Sequence, residues 1–368
     1  MANAIKLPGQ YIQGPGELKN LGKYIKKMGK KFLILLSENS KKRFESIVSA
    51  SLQENELDFI YEATGPQCSL PEIERVTEVG KSAGCDAVIS LGGGKIIDIG
   101  KAVATYLAAV SIIVPTVASN DSPCSGLSVV YNDEGVVVKV IYSKRNPDLV
   151  LVDSEVIAAA PPRFFAAGVA DALATYFEAR ACKASGARNM ARGSQTDTAE
   201  MMAKLCNDIL FEYGSEAKKA IEEKKPNEAL EHVLEACTLL SGVGFESGGL
   251  AAAHAINDGF AYVPAAQGAM HGEKVSFGLM TQLVLERKAG QLSDEDFYKV
   301  LDFAIMMGLP VCLSDLGVKE PAEDELRKVA EAATVKTQST KNMPFPVSAE
   351  DVYQAILEAD KIGAERKK

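Results

Sequence analysis

Five short apolar runs punctuate the first 150 residues: KKFLILLS (30–37), DFIYEAT (58–64), DAVISLGGG (86–94), SIIVPT (111–116) and DLVLVD (148–153). Each is too short for a helix and lacks polar alternation, as expected of a strand covered on both faces. Amphipathic stretches of helical length separate the first four. One of them, SLPEIERVTEVGKSAG, offers Ser69 as N-cap, an acidic first turn and Gly84 as a closing glycine. Strands alternating with helices imply a parallel, doubly wound sheet. LSVVYNDEGVVVKVIYS departs from this pattern. Its two β-rich halves joined through Asn132, Asp133, Glu134 and Gly135 predict a hairpin.

After Pro161 and Pro162 strand signals nearly vanish, and long Ala/Glu/Leu/Lys segments run to residue 368. A chain of this length accommodates two domains. The change of pattern predicts an α/β domain over 1–160 and an all-α domain over 161–368. The net charge of −9 lacks the basic footprint that nucleic acid requires. No apolar run reaches ~18 residues, and MANAIKLPGQYIQGPG lacks the apolar core of a secretory signal. A cytoplasmic chain without a membrane partner is the expectation. The seven cysteines never form CxxC and predict reduced, buried side chains. Any metal must therefore be held by histidine and carboxylate.

Gly92-Gly93-Gly94-Lys95 follows a buried strand and opens a helix. Glycines there let backbone N–H groups approach an anion beside the positive end of the helix dipole. The dinucleotide pattern GxGxxG fails at Ile97 and the Walker A pattern at Ile96. An anion cradle and a bare strand–helix corner both remain open on this motif. PTVASNDSPCSG (115–126) is a second loop leaving a strand, rich in Ser, Asn and Asp. It exceeds the usual ~2–6 residues, and ligands of open α/β sheets bind at the carboxyl ends of the strands. Simple capping of a following turn is the alternative.

In the helical half, GVADALATYFEAR sets Asp171 among alanines, where an uncompensated charge would cost several kcal/mol. GGLAAAHAINDGF sets His254 after Ala251, Ala252 and Ala253, and GAMHGEKVSFG sets His271 before Gly272 in a glycine-flanked turn or helix start. One aspartate and two histidines with a coordination position left open form a catalytic type of site for zinc or iron(II). Taken singly, each histidine also fits a satisfied core position, and spacing leaves open whether the three converge. His232, in EALEHVLEAC, receives no role.

Together these segments resemble the glycerol dehydrogenases within the iron-containing family of metal-dependent alcohol and polyol dehydrogenases. The resemblance is carried by PGQYIQGPG, LGGGKIIDIGKAVA, PTVASNDSPCSGLSVVY, AAGVADALATYFEARAC, LSGVGFESGGLAAAHAINDGF, HGEKVSFGLMTQLVLE and NMPFPVSAEDVYQAILEAD, nearly end to end. It implies a Rossmann-like domain followed by an all-α domain, the plan shared with dehydroquinate synthase. It implies a metal, usually zinc with iron(II) or another divalent ion possible, held by Asp171, His254 and His271. Gly93, Gly94 and Lys95 would grip the dinucleotide phosphates, with Asp98, Thr116, Ser119, Ser125, Leu127 and Tyr131 as further contacts. Asp121 would take a substrate hydroxyl, and the two histidine ligands would also face the substrate. The implied reaction oxidises a small polyol such as glycerol to its hydroxyketone, dihydroxyacetone, with hydride passing to the nicotinamide. With His254 and His271 used as ligands, the proton would leave through water or the cofactor ribose. A homo-oligomer, an octamer or smaller, is also implied.

One position departs from the family. Where these enzymes carry an aspartate for the adenosine ribose, this chain has Ser37, followed by Lys41, Lys42 and Arg43. NAD is the expected cofactor, and NADP stays open. The rivals are a relative acting on another diol, an aldehyde or a 2-oxo acid, and a dehydroquinate synthase-like lyase. The lyase would need several basic residues for a phosphate leaving group, and SNDSPCSG and AAAHAINDGF supply none.

Overall fold

The computed structural model describes residues 1–132 and 135–368, so Asp133 and Glu134 of the expected hairpin turn lie outside the described residues. The chain forms two compact units. An α/β unit comprises residues 6–165 and 219–242, and a helical unit comprises residues 1–5, 166–218 and 243–368.

In the α/β unit the elements run β1 (Tyr11–Gly14), α1 (Leu21–Ile25), β2 (Lys31–Leu36), α2 (Glu38–Glu54), β3 (Asp58–Ala63), α3 (Leu70–Ala83), β4 (Ala87–Gly92), α4 (Gly94–Leu107), β5 (Val110–Pro115), β6 (Leu127–Tyr131), β7 (Val137–Tyr142), β8 (Leu149–Asp153) and α5 (Ser154–Ala158). Six strands pair in parallel in the order β1-β8-β5-β4-β2-β3. β6 and β7 form the separate antiparallel hairpin. Successive residues of β2 serve opposite faces, as strand geometry demands. Phe32, Ile34 and Leu36 pack with Leu21, Phe44, Val48 and Leu52, whereas Leu33 and Leu35 pack with Ile73, Val76, Ile99 and Val103. Both faces are therefore covered, which accounts for the unbroken apolar runs.

Local chemistry sets several boundaries. Ser37 accepts a hydrogen bond from the Ser40 N–H at 3.1 Å and caps α2. Gly84 closes α3 with φ of 70°. Ser69 stands at the α3 N-cap without a side-chain cap bond, and Pro71 removes one of the donors it would have met.

From Pro162 the chain is helical: α6 (Pro162–Ser185), α7 (Asp197–Glu222), α8 (Glu228–Glu235), a π-helical turn (Ala236–Leu240), α9 (Ser241–Gly248), α10 (Ala252–Gly259), α11 (His271–Lys288), α12 (Asp294–Met307), α13 (Glu323–Thr334) and α14 (Ala349–Arg366). The expected division after residue 160 lies near the 165/166 break, but residues 219–242 return to the α/β unit. There Gln13 Nε2 donates to the Glu231 side chain at 2.7 Å, and the Tyr11 and Thr238 hydroxyls meet at 2.7 Å. Within the helical unit, glycines let backbones touch. A Cβ on Gly272 would stand 1.9 Å from the Ala167 carbonyl oxygen, and one on Gly278 would stand 2.3 Å from that of Ala253. No helix among the described residues is long and apolar enough to cross a membrane.

Candidate metal centre

Asp171 sits mid-way along α6, fully buried. His254 lies in the first turn of α10, and His271 is the first residue of α11. Their meeting depends on the small residues beside them. Gly272 brings the start of α11 onto the α6 backbone at Ala167, and Gly278 brings the same helix onto Ala253 of α10. In the first turn of α11, the Glu273 carboxylate accepts the N–H of the N-cap residue Met270 at 2.7 Å and fixes the entry to the helix.

Asp171 Oδ1 lies 3.4 Å from His254 Nε2 and 3.3 Å from His271 Nε2. All three potential ligand atoms fall within 4.8 Å of one another. Direct charge-assisted N–H···O bonds would be shorter, at ~2.7–2.9 Å. Two ligand atoms each ~2.05 Å from one ion, at a tetrahedral angle, stand ~3.3–3.4 Å apart. The spacing thus fits atoms gathered around a shared small cation, and so does the donor set of one carboxylate oxygen and two imidazole nitrogens. His271 keeps 38% of its side chain exposed, so the cluster is open on that side.

The electrostatics follow from burial against charge. Burial alone would push the Asp171 carboxyl up, but His271 and His254 outweigh it and hold the group well below the carboxylate range. Burial alone would disfavour a charged His254 ring, yet Glu178 and Asp171 outweigh it and raise its pKa well above the ordinary value. Two buried carboxylates thus create a place that demands positive charge, whether protons or a metal ion.

Glu178, two helical turns after Asp171, escaped the sequence reading. It is buried, and its Oε2 lies 2.5 Å from His254 Nδ1. Its Oε1 accepts the Ala251 and His254 N–H groups at 2.8 and 3.1 Å. The signal was the seven-residue spacing, which puts Glu178 on the same helix face as Asp171. His232 lies on α8, with Glu228 3.9 Å away.

The expected dinucleotide residues fall in the α/β unit. β2, β4 and β5 are parallel neighbours, so the residues following them share one edge of the sheet. Those residues are Ser37, the Gly93–Lys95 turn and the loop containing Thr116, Ser119, Asp121 and Ser125. The chain reverses direction across the sheet between β2 and β4, the place where open α/β sheets bind nucleotides. Gly94 begins α4, and a Cβ there would stand 2.3 Å from Asn120 Nδ2. The two loops therefore touch because residue 94 is glycine. Lys95 is exposed beside this helix start, which suits an anionic phosphate. Leu127 and Tyr131 bound β6.

Two residues are already engaged. Asp98 pairs with Lys101 at 3.0 Å and accepts the Val129 N–H at 3.1 Å, tying α4 to the hairpin. Asp121 makes no turn-capping bond with its side chain; its Oδ2 accepts from the Ser241 hydroxyl at 2.9 Å. Ser241 directly follows the π-helical turn, and no local sequence pattern announced it.

Residues 8–154 match the family described as iron-containing alcohol dehydrogenase. A glycerol dehydrogenase of Escherichia coli O6:H1 is 42% identical over 363 residues, spanning 99% of this chain and 98% of its own length. A glycolaldehyde reductase of Halobacterium salinarum is 40% identical, with the same coverage of both chains. The crystal structure of glycerol dehydrogenase from Schizosaccharomyces pombe matches with a TM-score of 0.94 at 32% identity, covering 99% of this chain and 92% of that one.

Proposed function

The chain belongs to the glycerol dehydrogenase group of the iron-containing alcohol dehydrogenase family, and we propose that it oxidises glycerol, or a similar small polyol, to the hydroxyketone. The carbinol carbon gives a hydride to the nicotinamide of NAD, and the hydroxyl gives its proton to water or the cofactor ribose. The products are dihydroxyacetone, NADH and a proton.

Asp171, His254 and His271 hold a divalent ion, and the observation that carries the reading is their ligand spacing of 3.3 and 3.4 Å. Zinc is the ion usually implied by the family resemblance, with iron(II) or another divalent ion as the alternative for one carboxylate and two imidazoles. When bound by these three residues, the ion would supply Lewis-acid chemistry to adjacent hydroxyls of a small polyol and ease loss of a proton. His254 and His271 would hold the ion beside the substrate. Asp121, its carboxylate steadied by Ser241, accepts a neighbouring hydroxyl of the polyol. The α4 N-terminus with Gly93, Gly94 and Lys95 receives the dinucleotide phosphates, and Thr116, Ser119, Ser125, Leu127 and Tyr131 line the rest of its path. Asp98 acts beside them through its bond to the Val129 N–H.

NAD is the first cofactor of this reading and NADP the alternative, because Ser37 brings no negative charge to the end of β2. Aldehyde reduction, the reverse chemistry, is a second reading favoured by the 40% identity to a glycolaldehyde reductase. The test is purification with metal analysis, followed by a screen of glycerol, other diols and glycolaldehyde with NAD(H) and NADP(H). Metal-dependent glycerol oxidation is expected. Full activity after exhaustive chelation would refute the reading.

A further inference from the structure

The first turn of α10 carries His254, yet its N-cap residue is Ala251, which has no side-chain acceptor. Neighbouring helices supply what is missing. Glu178 Oε1, from α6, accepts the Ala251 and His254 N–H groups at 2.8 and 3.1 Å. Gln282 Oε1, from α11, accepts the Ala253 N–H at 2.9 Å. Gln282 is itself held by Glu286, 3.0 Å from its amide nitrogen, and Glu286 pairs with Arg180 of α6. Glu178 is thus fixed by two backbone donors through one oxygen. Its other oxygen lies 2.5 Å from His254 Nδ1.

We propose that Glu178 is a positioning residue for the metal centre, acting through His254, an inference that rests on the metal-dependent reading above. A carboxylate can only accept, so the ring must place its proton on Nδ1. Nε2 is then left with a free lone pair, and Nε2 is the atom that stands 3.4 Å from Asp171 Oδ1. Carboxylates behind metal-bound imidazoles fix both tautomer and ring orientation in this way. The charge count agrees: Asp171 and Glu178 together balance one divalent ion when both rings are neutral.

A helix cap and a tautomer selector are separable. In Glu178→Gln the side-chain oxygen can still accept the Ala251 and His254 N–H groups, so the cap survives. The amide nitrogen then faces Nδ1 and donates to it, which forces the ring proton onto Nε2 and blocks ligation. Equilibrium chelator competition with zinc should show E178Q binding ~10–100-fold more weakly than the parent protein. With zinc at saturation in proteins labelled with [15N]histidine, His254 should keep its proton on Nδ1 with the metal on Nε2 in the parent, and E178Q should lose that pattern. Unchanged zinc affinity in folded E178Q would overturn the proposal.

Should E178Q fail to fold, the zinc-loaded parent decides alone. Protonated Nδ1 with metal-bound Nε2 supports the role, and metal on Nδ1 overturns it. A parent protein that binds no zinc at Asp171, His254 and His271 would instead refute the metal-dependent reading itself.

Discussion

At the scale of single residues, the candidate centre depends on side chains that individually look ordinary. His271 before Gly272, His254 after three alanines and Asp171 among alanines each had a bland explanation. Position alone could not reveal their meeting, because 83 residues separate Asp171 from His254 along the chain. Glu178 was legible only as another helical glutamate, since its value comes from the ring it touches. His271→Ala is expected to lose more than ~100-fold in zinc affinity, beyond the cost of losing an outer-shell partner. Glycerol turnover should fall with it, while the far-UV circular dichroism stays unchanged. Metal content and kcat measured together check this. Ser37→Asp keeps a good N-cap for α2 but adds a charge against a 2′-phosphate. The NADP-linked kcat/KM should fall more than ~10-fold, with the NAD-linked value equal or higher.

Elements explain how such residues are brought together. The apolar runs of β2, β4, β5 and β8 were legible because parallel strands are buried on both faces. β1 was not. Its four residues, Tyr11–Gly14, lie in a glycine- and proline-rich stretch and become a strand only by pairing with β8. The π-helical turn at Ala236–Leu240 likewise has no signature of its own, although it precedes the serine that bonds Asp121. The helices around the cluster meet where glycine removes side chains. Gly272→Ala would set a methyl carbon 1.9 Å from a backbone oxygen, so α11 must shift away from α6. A loss of about 1–3 kcal/mol in stability is expected from such overpacking, together with weaker metal binding because His271 moves as well. Denaturant unfolding of the metal-free protein separates the first effect from the second.

For the whole molecule, strand–helix alternation followed by helices alone gave the two-part plan, and the same grammar hid its exception. Residues 219–242 carry a helical pattern like those around them, yet they join the α/β unit through contacts with β1. Tertiary partners decide that choice, and periodicity does not encode them. Global stability should also report the centre. The metal-free His254 ring has a raised pKa, so its protonation stabilises the fold fully below the unfolded value near 6.5 and is lost as pH rises through the folded value. Metal binding needs the neutral Nε2 and so favours the opposite side of that titration. The difference in Tm between zinc-loaded and chelated protein is therefore expected to widen from about pH 6 to about pH 9. Thermal scans with zinc and with chelator across that range test this.

The central claim is that Asp171, His254 and His271 share one catalytic ion. Anomalous diffraction at the zinc edge, from crystals of active protein, tests it most directly. One peak is predicted per chain, ~2.0–2.2 Å from Asp171 Oδ1, His254 Nε2 and His271 Nε2. Active, zinc-containing protein whose peak lies elsewhere would contradict the account.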